Sequence, residues 1–327
     1  MTEPGEGVGD GLGGEEGTSV EEGHHEEVEK KKTTAAEFIE QLKEGPSKVK
    51  EWYKAYCEKP PRFDAFLANP DRNRYPNTIL YDSSRVVLKP TKGESDNPYI
   101  HASWVDSFER KHGYILSQAP FTNDTDFDFW RMVIQTKPIM IVVLTNVKNG
   151  DINCIKQFWP NEREMKDYGN IVVKCENVDN ERDHNRYDLL VDYRDKLVCS
   201  PPLIAYSAWT EDKELPDSLL EFRATTKIIK ARQTQDAKKK PSESAPVMLV
   251  CPSGVHRAGT FAALDILLDR ISAERKVGLA ETVSILRSQR FGCLSMFNHY
   301  STVASIVVRH AVSCNIVNPD ALLGKKE

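Results

Sequence analysis

A short stretch near residue 250 limits most strongly how this chain can fold. The apolar run Val247–Val250 predicts a buried strand, and Arg257–Ile271 predicts a helix. The loop between them contains Gly254 and is too short for any other element. Such a loop turns successive backbone N–H groups toward one point, at a helix N-terminus whose dipole also favours negative charge. The stretch therefore predicts an anion-binding loop in a fold that combines strands and helices.

The first and last residues of this loop have side chains suited to phosphate chemistry. Cys251 faces the positive end of the helix, which favours its thiolate, and a thiolate is a nucleophile. Arg257, six residues later, can hold two phosphate oxygens in a fork. These parts suit in-line attack of sulfur on a phosphate monoester bound to the Pro252–Arg257 amides. Because the Cys-x5-Arg spacing is a short motif, a buried strand-end cysteine with a surface arginine remains the alternative interpretation.

The remaining pattern predicts an α/β fold with a mixed central β-sheet flanked by helices. Strands are predicted where short runs are rich in β-branched residues, at Arg85–Leu88, Tyr99–Val105, Gly113–Gln118, Ile139–Leu144, Ile171–Cys175 and Asp188–Tyr193. Helices are predicted where apolar residues recur at helical spacing, at 35–42, 49–57, Asp126–Thr136, Leu219–Arg232, Gly278–Gln289 and Asn298–Val312. The polar segments Asn69–Asn77 and Gln233–Ala245 are predicted to be a loop and a linker.

Charge is concentrated at the N-terminus. Met1–Lys32 contains ten acidic residues, three lysines and eight of the 18 glycines, whereas the net charge of all 327 residues is only −5. Such a segment buries too little apolar surface to offset its ordering entropy. We predict a disordered acidic tail at 1–33, a folded domain at 34–316 and a C-terminal tail at 317–327. The acidic tail is either a solvated segment or an arm for a basic partner of unknown identity.

Several classes of protein do not fit this sequence. The longest apolar run, Ile139–Leu144, is far shorter than the ~18 residues of a membrane span, and Met1–Gly14 lacks the pattern of a signal peptide. The seven cysteines are then expected to be reduced thiols of a cytoplasmic protein. The net charge of −5 argues against nucleic acid as a partner.

Short motifs spread over most of the chain point to one family. They occur in order at Asn73–Tyr75, Asp82–Arg85, Tyr99–Ser103, Tyr114–Pro120, Phe129–Trp130, Phe158–Pro160, Tyr206–Trp209, Cys251–Gly259 and Leu286–Gly292. With these motifs the chain resembles the catalytic domain of the tyrosine-specific protein phosphatases over about residues 38–314. The resemblance implies a mixed sheet, a cysteinyl-phosphate intermediate on Cys251, and neither a metal nor another cofactor. It also implies a phosphotyrosine-containing protein or peptide as partner, with Tyr75 lining the cleft against its ring.

The phosphate loop departs from the family pattern at three positions. Val250 replaces the histidine before the nucleophile, and Ala258 replaces the hydroxyl residue after the arginine. Because that hydroxyl helps to hold the leaving thiolate, its loss should slow hydrolysis of the intermediate more than attack on the ester. His256 stands where a glycine is usual. If that position requires a left-handed or tightly packed backbone, His256 is strained; alternatively it adds positive charge near the thiolate.

The loop that supplies the general acid is altered as well. The family has Trp-Pro-Asp, whereas Trp209 here is followed by Thr-Glu-Asp. Counting from Trp209 makes Glu211 the acid, and counting from Pro216 makes Asp212 the acid; both could also be solvated acids without a catalytic role. Loss of an effective acid typically removes ~10²–10⁴ in rate.

Further departures fall on residues that support the site. They are Lys148 at the glutamate that orients the loop arginine, Asn153 at a cleft lysine, Asn77 at an aspartate that contacts the substrate backbone, and Ser295 near the glutamine that positions water. Two functional hypotheses follow. The first is a phosphotyrosine phosphatase with impaired turnover, and the second is an inactive pseudophosphatase that binds phosphotyrosine as a scaffold or competitor.

Overall fold

The computed structural model describes residue 47 and residues 61–90, 97–148, 154–209, 215–236 and 245–318. The chain divides into two compact units after Pro60, and every element below belongs to the second, Pro61–Glu327. Its helices are α1 (Asp64–Leu67), α2 (Asn123–Thr136), α3 (Leu219–Asp236), α4 (His256–Glu274), α5 (Leu279–Gln289) and α6 (Phe297–Ser313), with a 3-10 turn at Pro70–Arg72. Its strands are β1 (Arg85–Val87), β2 (Tyr99–Val105), β3 (Tyr114–Gln118), β4 (Met140–Val143), β5 (Met165–Tyr168), β6 (Ile171–Asn180), β7 (His184–Tyr193), β8 (Lys196–Cys199), β9 (Pro202–Tyr206) and β10 (Val247–Cys251).

The described strands form one mixed sheet in the order β1-β2-β3-β10-β4-β9-β7-β6-β5, with β8 paired to β7. Strands β3, β10, β4 and β9 run parallel at its centre, and the outer strands pair antiparallel. Parallel strands are normally buried on both faces, and every residue of β3, β4 and β10 is buried. The predicted α/β fold with a mixed central sheet is confirmed.

The two faces of β10 enter different hydrophobic cores. Met248 and Val250 pack in the core that contains residues of α2, whereas Leu249 and Cys251 pack in the core that contains residues of α3 to α6. This alternation follows from the two-residue period of a strand. It places Cys251 on the side of the sheet where the next helix begins.

Most predicted elements are present, with shifted ends. Helix α2 begins at Asn123, three residues before the prediction, because Thr122 and Thr125 form a capping box. Helix α3 extends to Asp236, so the predicted linker from Gln233 was wrong in its first four residues. The loop predicted at Asn69–Asn77 contains the short 3-10 turn.

The sheet is larger than the sequence indicated. The sequence pattern predicted none of β5, β8 and β9, and it ended β6 at Cys175 rather than Asn180 and began β7 at Asp188 rather than His184. The outer parts of β6 and β7 are half-exposed or exposed, so they lack the apolar pattern on which the prediction relied. The tail at 1–33 and the helices at 35–42 and 49–57 lie outside the described residues. Among the described helices, none has the length and apolar composition needed to cross a membrane.

Candidate active site

Strand β10 ends at Cys251, and the chain reaches the first turn of α4 within five residues. Gly254 makes this sharp return possible because its φ is +67°. A Cβ atom on Gly254 would also lie 2.3 Å from the backbone carbon of Ser117. His256 has no such conformation: it is the first residue of α4, so the left-handed strain considered for it does not arise, and the left-handed position is Gly254. The Nδ1 atom of His256 is buried without a hydrogen-bond partner in the described part of the chain.

The hydroxyl of Ser253 lies inside the loop that follows Pro252. It accepts hydrogen bonds from the backbone N–H groups of Val255 at 3.2 Å and His256 at 3.4 Å. Its Oγ atom is 3.9 Å from the Sγ atom of Cys251. Two loop amides therefore converge on one oxygen close to the thiol. That is the arrangement an anion nest requires, and here the protein's own hydroxyl occupies it.

Arg257 is buried and reaches the carboxyl end of β4. Its guanidinium donates to the hydroxyl of Thr145 at 2.5 Å and approaches the carbonyl oxygen of Leu144 at 3.4 Å. The side chains of Cys251 and Arg257 are each 1% exposed. Lys148, predicted to disturb the arginine, is exposed.

A second buried arginine holds the phosphate loop by its carbonyl oxygens. Arg290, directly after α5, donates from Nε to the carbonyl oxygen of Gly254 at 3.1 Å and from Nη2 to that of Ser253 at 3.2 Å. It also contacts Nδ1 of His101 at 2.9 Å and the hydroxyl of Ser103 at 3.3 Å. Burial lowers the pKa of Arg290 to about 10. These contacts hold the carbonyls of Ser253 and Gly254, whereas the N–H of Gly254 donates within the loop to the carbonyl oxygen of Cys251 at 3.1 Å.

The partners of His101 define its protonation state. Its Nε2 atom lies 2.8 Å from the carbonyl oxygen of Thr78, so we assign the proton to Nε2 and the acceptor role toward Arg290 to Nδ1. Burial and the neighbouring Arg290 lower the pKa of His101 to about 3. Sequence reasoning missed both residues as parts of the site. The only available signal was that each belongs to a motif of the family resemblance.

The loop that carries Tyr75 is held by a residue of β3, the strand next to Cys251. Gln118, the partner of Cys251 in the β3–β10 register, accepts from the N–H of Arg74 at 3.0 Å and donates to the carbonyl oxygen of Arg72 at 2.7 Å. The guanidinium of Arg74 lies 5.8 Å from the centre of the half-exposed Tyr75 ring. Gln118 thereby ties the tyrosine loop to the base of the phosphate loop.

Of the residues predicted for turnover, one is exposed and the others lie outside the described ranges. Ser295 is exposed in the loop between α5 and α6. Glu211, Asp212 and Asn153 lie outside the described residues, whereas Trp209 is buried, with its ring 5.8 Å from that of His299. Within the described ranges, no group of three or more His, Cys, Asp or Glu residues is arranged to hold a metal ion.

The departures at Val250 and Ala258 are both accommodated in apolar cores. Each side chain is 0% exposed, on opposite faces of the sheet. Beside Ala258, a Cβ atom on Gly259 would lie 2.7 Å from Sγ of Cys293, so this part of α4 packs closely against the loop after α5. Burial raises the pKa of Cys293 to about 12, so its thiol stays protonated.

Comparisons with known proteins point to a single family. The family described as protein-tyrosine phosphatase matches residues 69–309, which is most of the chain. The chain is 32% identical over 228 residues to the Tyrosine-protein phosphatase Lar-like of Caenorhabditis elegans, covering 68% of the chain and 10% of that protein. It is 30% identical over 256 residues to the human Receptor-type tyrosine-protein phosphatase alpha, covering 74% of the chain and 30% of that protein. The mouse Receptor-type tyrosine-protein phosphatase epsilon is 33% identical over 243 residues, covering 68% of the chain and 32% of that protein. The chain thus spans a third or less of the length of these relatives.

Proposed function

Because the chain belongs to the protein-tyrosine phosphatase family, we propose that it binds phosphotyrosyl protein and hydrolyses the ester through Cys251, with impaired turnover. The observation that carries the proposal is the convergence of the Val255 and His256 amides on one oxygen beside the Cys251 thiol. A phosphate oxygen at the position of the Ser253 hydroxyl would receive the same two hydrogen bonds. The buried Arg257 supplies a positive charge at the other end of the loop.

The proposed reaction has two steps. The Cys251 thiolate attacks phosphorus, the S–P bond forms, and the P–O bond to the tyrosyl oxygen breaks as Asp212 or Glu211 protonates that oxygen. Water then attacks phosphorus, the S–P bond breaks, and the same carboxylate accepts the proton from water. The thiolate and the protonated acid are restored and inorganic phosphate is released, so the cycle needs no cofactor. Tyr75 packs against the ring of the substrate.

Three residues support impaired turnover. Ala258 offers no hydroxyl to the thiolate that leaves in the second step, and Ser295 is a short side chain where water must be positioned. Ser253 competes with substrate for two loop amides. If absent or misplaced groups cost tenfold at each of three positions, about 4 kcal/mol of transition-state stabilisation is lost, with non-additivity making this an upper value.

The same observations favour a second candidate, a pseudophosphatase that binds phosphotyrosyl partners as a scaffold or competitor. Binding in the ground state needs only the amides and Arg257, whereas turnover also needs the acid, the water-positioning group and the released thiolate. The thiol itself favours the first candidate, since a binding module has no use for it.

The two candidates differ in one experiment. Hydrolysis of a phosphotyrosyl peptide is measured for the wild type and for Cys251→Ser, and binding of the same peptide is measured by calorimetry for both. We expect wild-type hydrolysis well above Cys251→Ser, with similar peptide affinity. Equal rates with retained binding would refute the phosphatase and favour the scaffold. Arg257→Met should abolish binding; if it does not, the phosphate loop is not the binding site.

A further inference from the structure

The carboxyl end of β4 lies beside the start of the phosphate loop. In the parallel β4–β10 pair, Val143 is the partner of Val250, and the N–H of Leu144 donates to the carbonyl oxygen of Val250 at 2.7 Å. Thr145 is the next residue, so it lies beside the chain where β10 ends at Cys251. Ligands of open α/β sheets bind outside the carboxyl ends of the strands. Thr145 can therefore act on the site without belonging to the phosphate loop.

The hydroxyl of Thr145 contacts the guanidinium of Arg257. Its Oγ1 atom accepts from Nη1 of Arg257 at 2.5 Å, and the same Nη1 lies 3.4 Å from the carbonyl oxygen of Leu144. Thr145 and Arg257 are each 1% exposed. Burial of a guanidinium is costly unless its N–H groups are hydrogen-bonded, and a hydrogen bond from a charged donor is about twice as strong as a neutral one. The Thr145 hydroxyl thus helps to hold the charge of Arg257 inside the protein.

The backbone on both sides of Thr145 is fixed by hydrogen bonds. Before Thr145, Leu144 is bonded to β10. After it, the carbonyl oxygen of Asn146 accepts from the N–H of Ile155 at 3.3 Å, and the N–H of Lys148 donates to the carbonyl oxygen of Ile155 at 3.0 Å. Threonine is also β-branched, which restricts its χ1 angle. A hydroxyl on a fixed backbone, with a restricted rotamer, has a defined position and so defines where the bound guanidinium lies.

We propose that Thr145 is a positioning residue of the phosphate site, which holds the Arg257 guanidinium at the carboxyl end of β4 for phosphate to meet. The proposal rests on the proposed binding of phosphate by the loop. The family resemblance implies a glutamate as the acceptor that orients this arginine, and Lys148 was predicted at its position. A lysine side chain has no acceptor atom, and Lys148 is exposed. Thr145 supplies a neutral acceptor instead.

The first test observes the contact itself, by NMR of the full chain with isotope-labelled arginine. The guanidinium signals of Arg257 are assigned by their loss in Arg257→Met. Thr145→Val removes the hydroxyl and keeps the shape of the side chain. We expect separate Nη signals in the wild type, because the contact slows rotation about the Nε–Cζ bond, and averaged signals in Thr145→Val. Thr145→Ser should keep the signals separate. Separate signals in Thr145→Val would overturn the proposal.

The second test is binding of inorganic phosphate, measured by calorimetry. Thr145→Val should bind phosphate about tenfold more weakly than the wild type, and Thr145→Ser should retain most of the affinity. A matched control is Thr226→Val, which removes a buried hydroxyl that donates to the carbonyl oxygen of Arg223 at 2.7 Å, and it should leave the affinity unchanged. If Thr145→Val does not fold, Thr145→Ala removes the same hydroxyl without placing a methyl group against the guanidinium, and both measurements are made on it.

The results separate this proposal from the proposed function. If the wild type binds phosphate and Thr145→Val binds it equally well, the role of Thr145 is refuted and the function of the loop stands. If the wild type binds no phosphate, the proposed function fails, and the role of Thr145 in phosphate binding fails with it.

Discussion

Arg290 and Arg287 lie three residues apart at the end of α5, and each holds a different loop through carbonyl oxygens. Arg290 binds the carbonyls of Ser253 and Gly254 in the phosphate loop. Arg287 binds those of Cys293 at 2.9 Å and Leu294 at 3.0 Å, next to Ser295. The contacts are chemically alike, but Arg290 is 0% exposed and Arg287 is exposed.

This difference separates the loop that we propose to bind phosphate from the loop whose Ser295 we propose to affect turnover. A buried hydrogen bond is costly to lose because water cannot replace it, whereas an exposed one is readily replaced. The loop that we propose to bind phosphate is thus held by buried contacts. The hydrogen bonds from Arg287 to the segment before Ser295 are only partly buried, although Cys293 and Leu294 in that segment are buried themselves.

The largest expected effect comes from Arg290→Met. It leaves two loop carbonyls and Nδ1 of His101 buried without their donor, at about 1–3 kcal/mol for each group. We expect the free energy of unfolding to fall by at least about 3 kcal/mol and binding of inorganic phosphate to be lost. Urea unfolding and calorimetry measure these two quantities.

The matched control for this prediction is Arg287→Met, on the same helix. Because Arg287 is exposed, its loss should cost less than about 1 kcal/mol and leave phosphate affinity unchanged. If Arg290→Met and Arg287→Met lose similar amounts of unfolding free energy, the burial of Arg290 does not make its contacts stronger than those of Arg287.

A smaller effect is expected from pH, through His101. Its pKa is about 3 in the folded protein, below the ordinary value of 6.5, so the unfolded chain binds a proton there first as the pH falls. The associated stability is complete above about pH 6.5 and is lost toward pH 3, by about 1.4 kcal/mol per pH unit. His101→Asn keeps one donor and one acceptor but does not titrate in this range.

Urea unfolding at pH 7 and at pH 4.5 measures this contribution. The wild type should lose about 2 to 3 kcal/mol more than His101→Asn between the two pH values. An equal loss in both proteins would mean that His101 is not neutral in the fold. Because each protein is judged by the change in its free energy of unfolding between the two pH values, a difference in stability at pH 7 does not affect the comparison.

The sequence predicted the parts of the molecule that local patterns determine. Continuous apolar runs gave β10 and β4, and the strand–loop–helix pattern gave the position of Cys251. The half-exposed strands β5 and β8 have no such pattern, because pairing with neighbouring strands rather than burial makes them strands. Thr122 is a residue type common at helix N-caps, but its capping-box partner is Thr125 rather than the usual Glu or Gln, so the box had no clear sequence pattern.

The contacts that hold the site could not be predicted from the sequence, for a different reason. Arg290 is 36 residues from Gly254 and 189 from His101 in sequence, and nothing local to Arg290 indicates that it is buried. The Ser253 contacts are short-range, but a serine in a glycine-containing loop is equally typical of an exposed turn. Only the fold shows which of these side chains point inward.

The smallest expected effect tests whether the phosphate loop is partly self-occupied. Ser253→Ala removes the hydroxyl that accepts hydrogen bonds from the N–H groups of Val255 and His256. Because these groups are then available to the ligand, inorganic phosphate should bind about three- to tenfold more tightly. The variant should also lose up to about 1 kcal/mol of stability, since the same hydroxyl serves the first amides of α4. Calorimetry with inorganic phosphate measures the gain, and Ser288→Ala, on the exposed side of α5, is the control. Weaker phosphate binding by Ser253→Ala would mean that the hydroxyl contacts the ligand rather than competing with it, and the phosphate loop would then bind phosphate through a different set of donors.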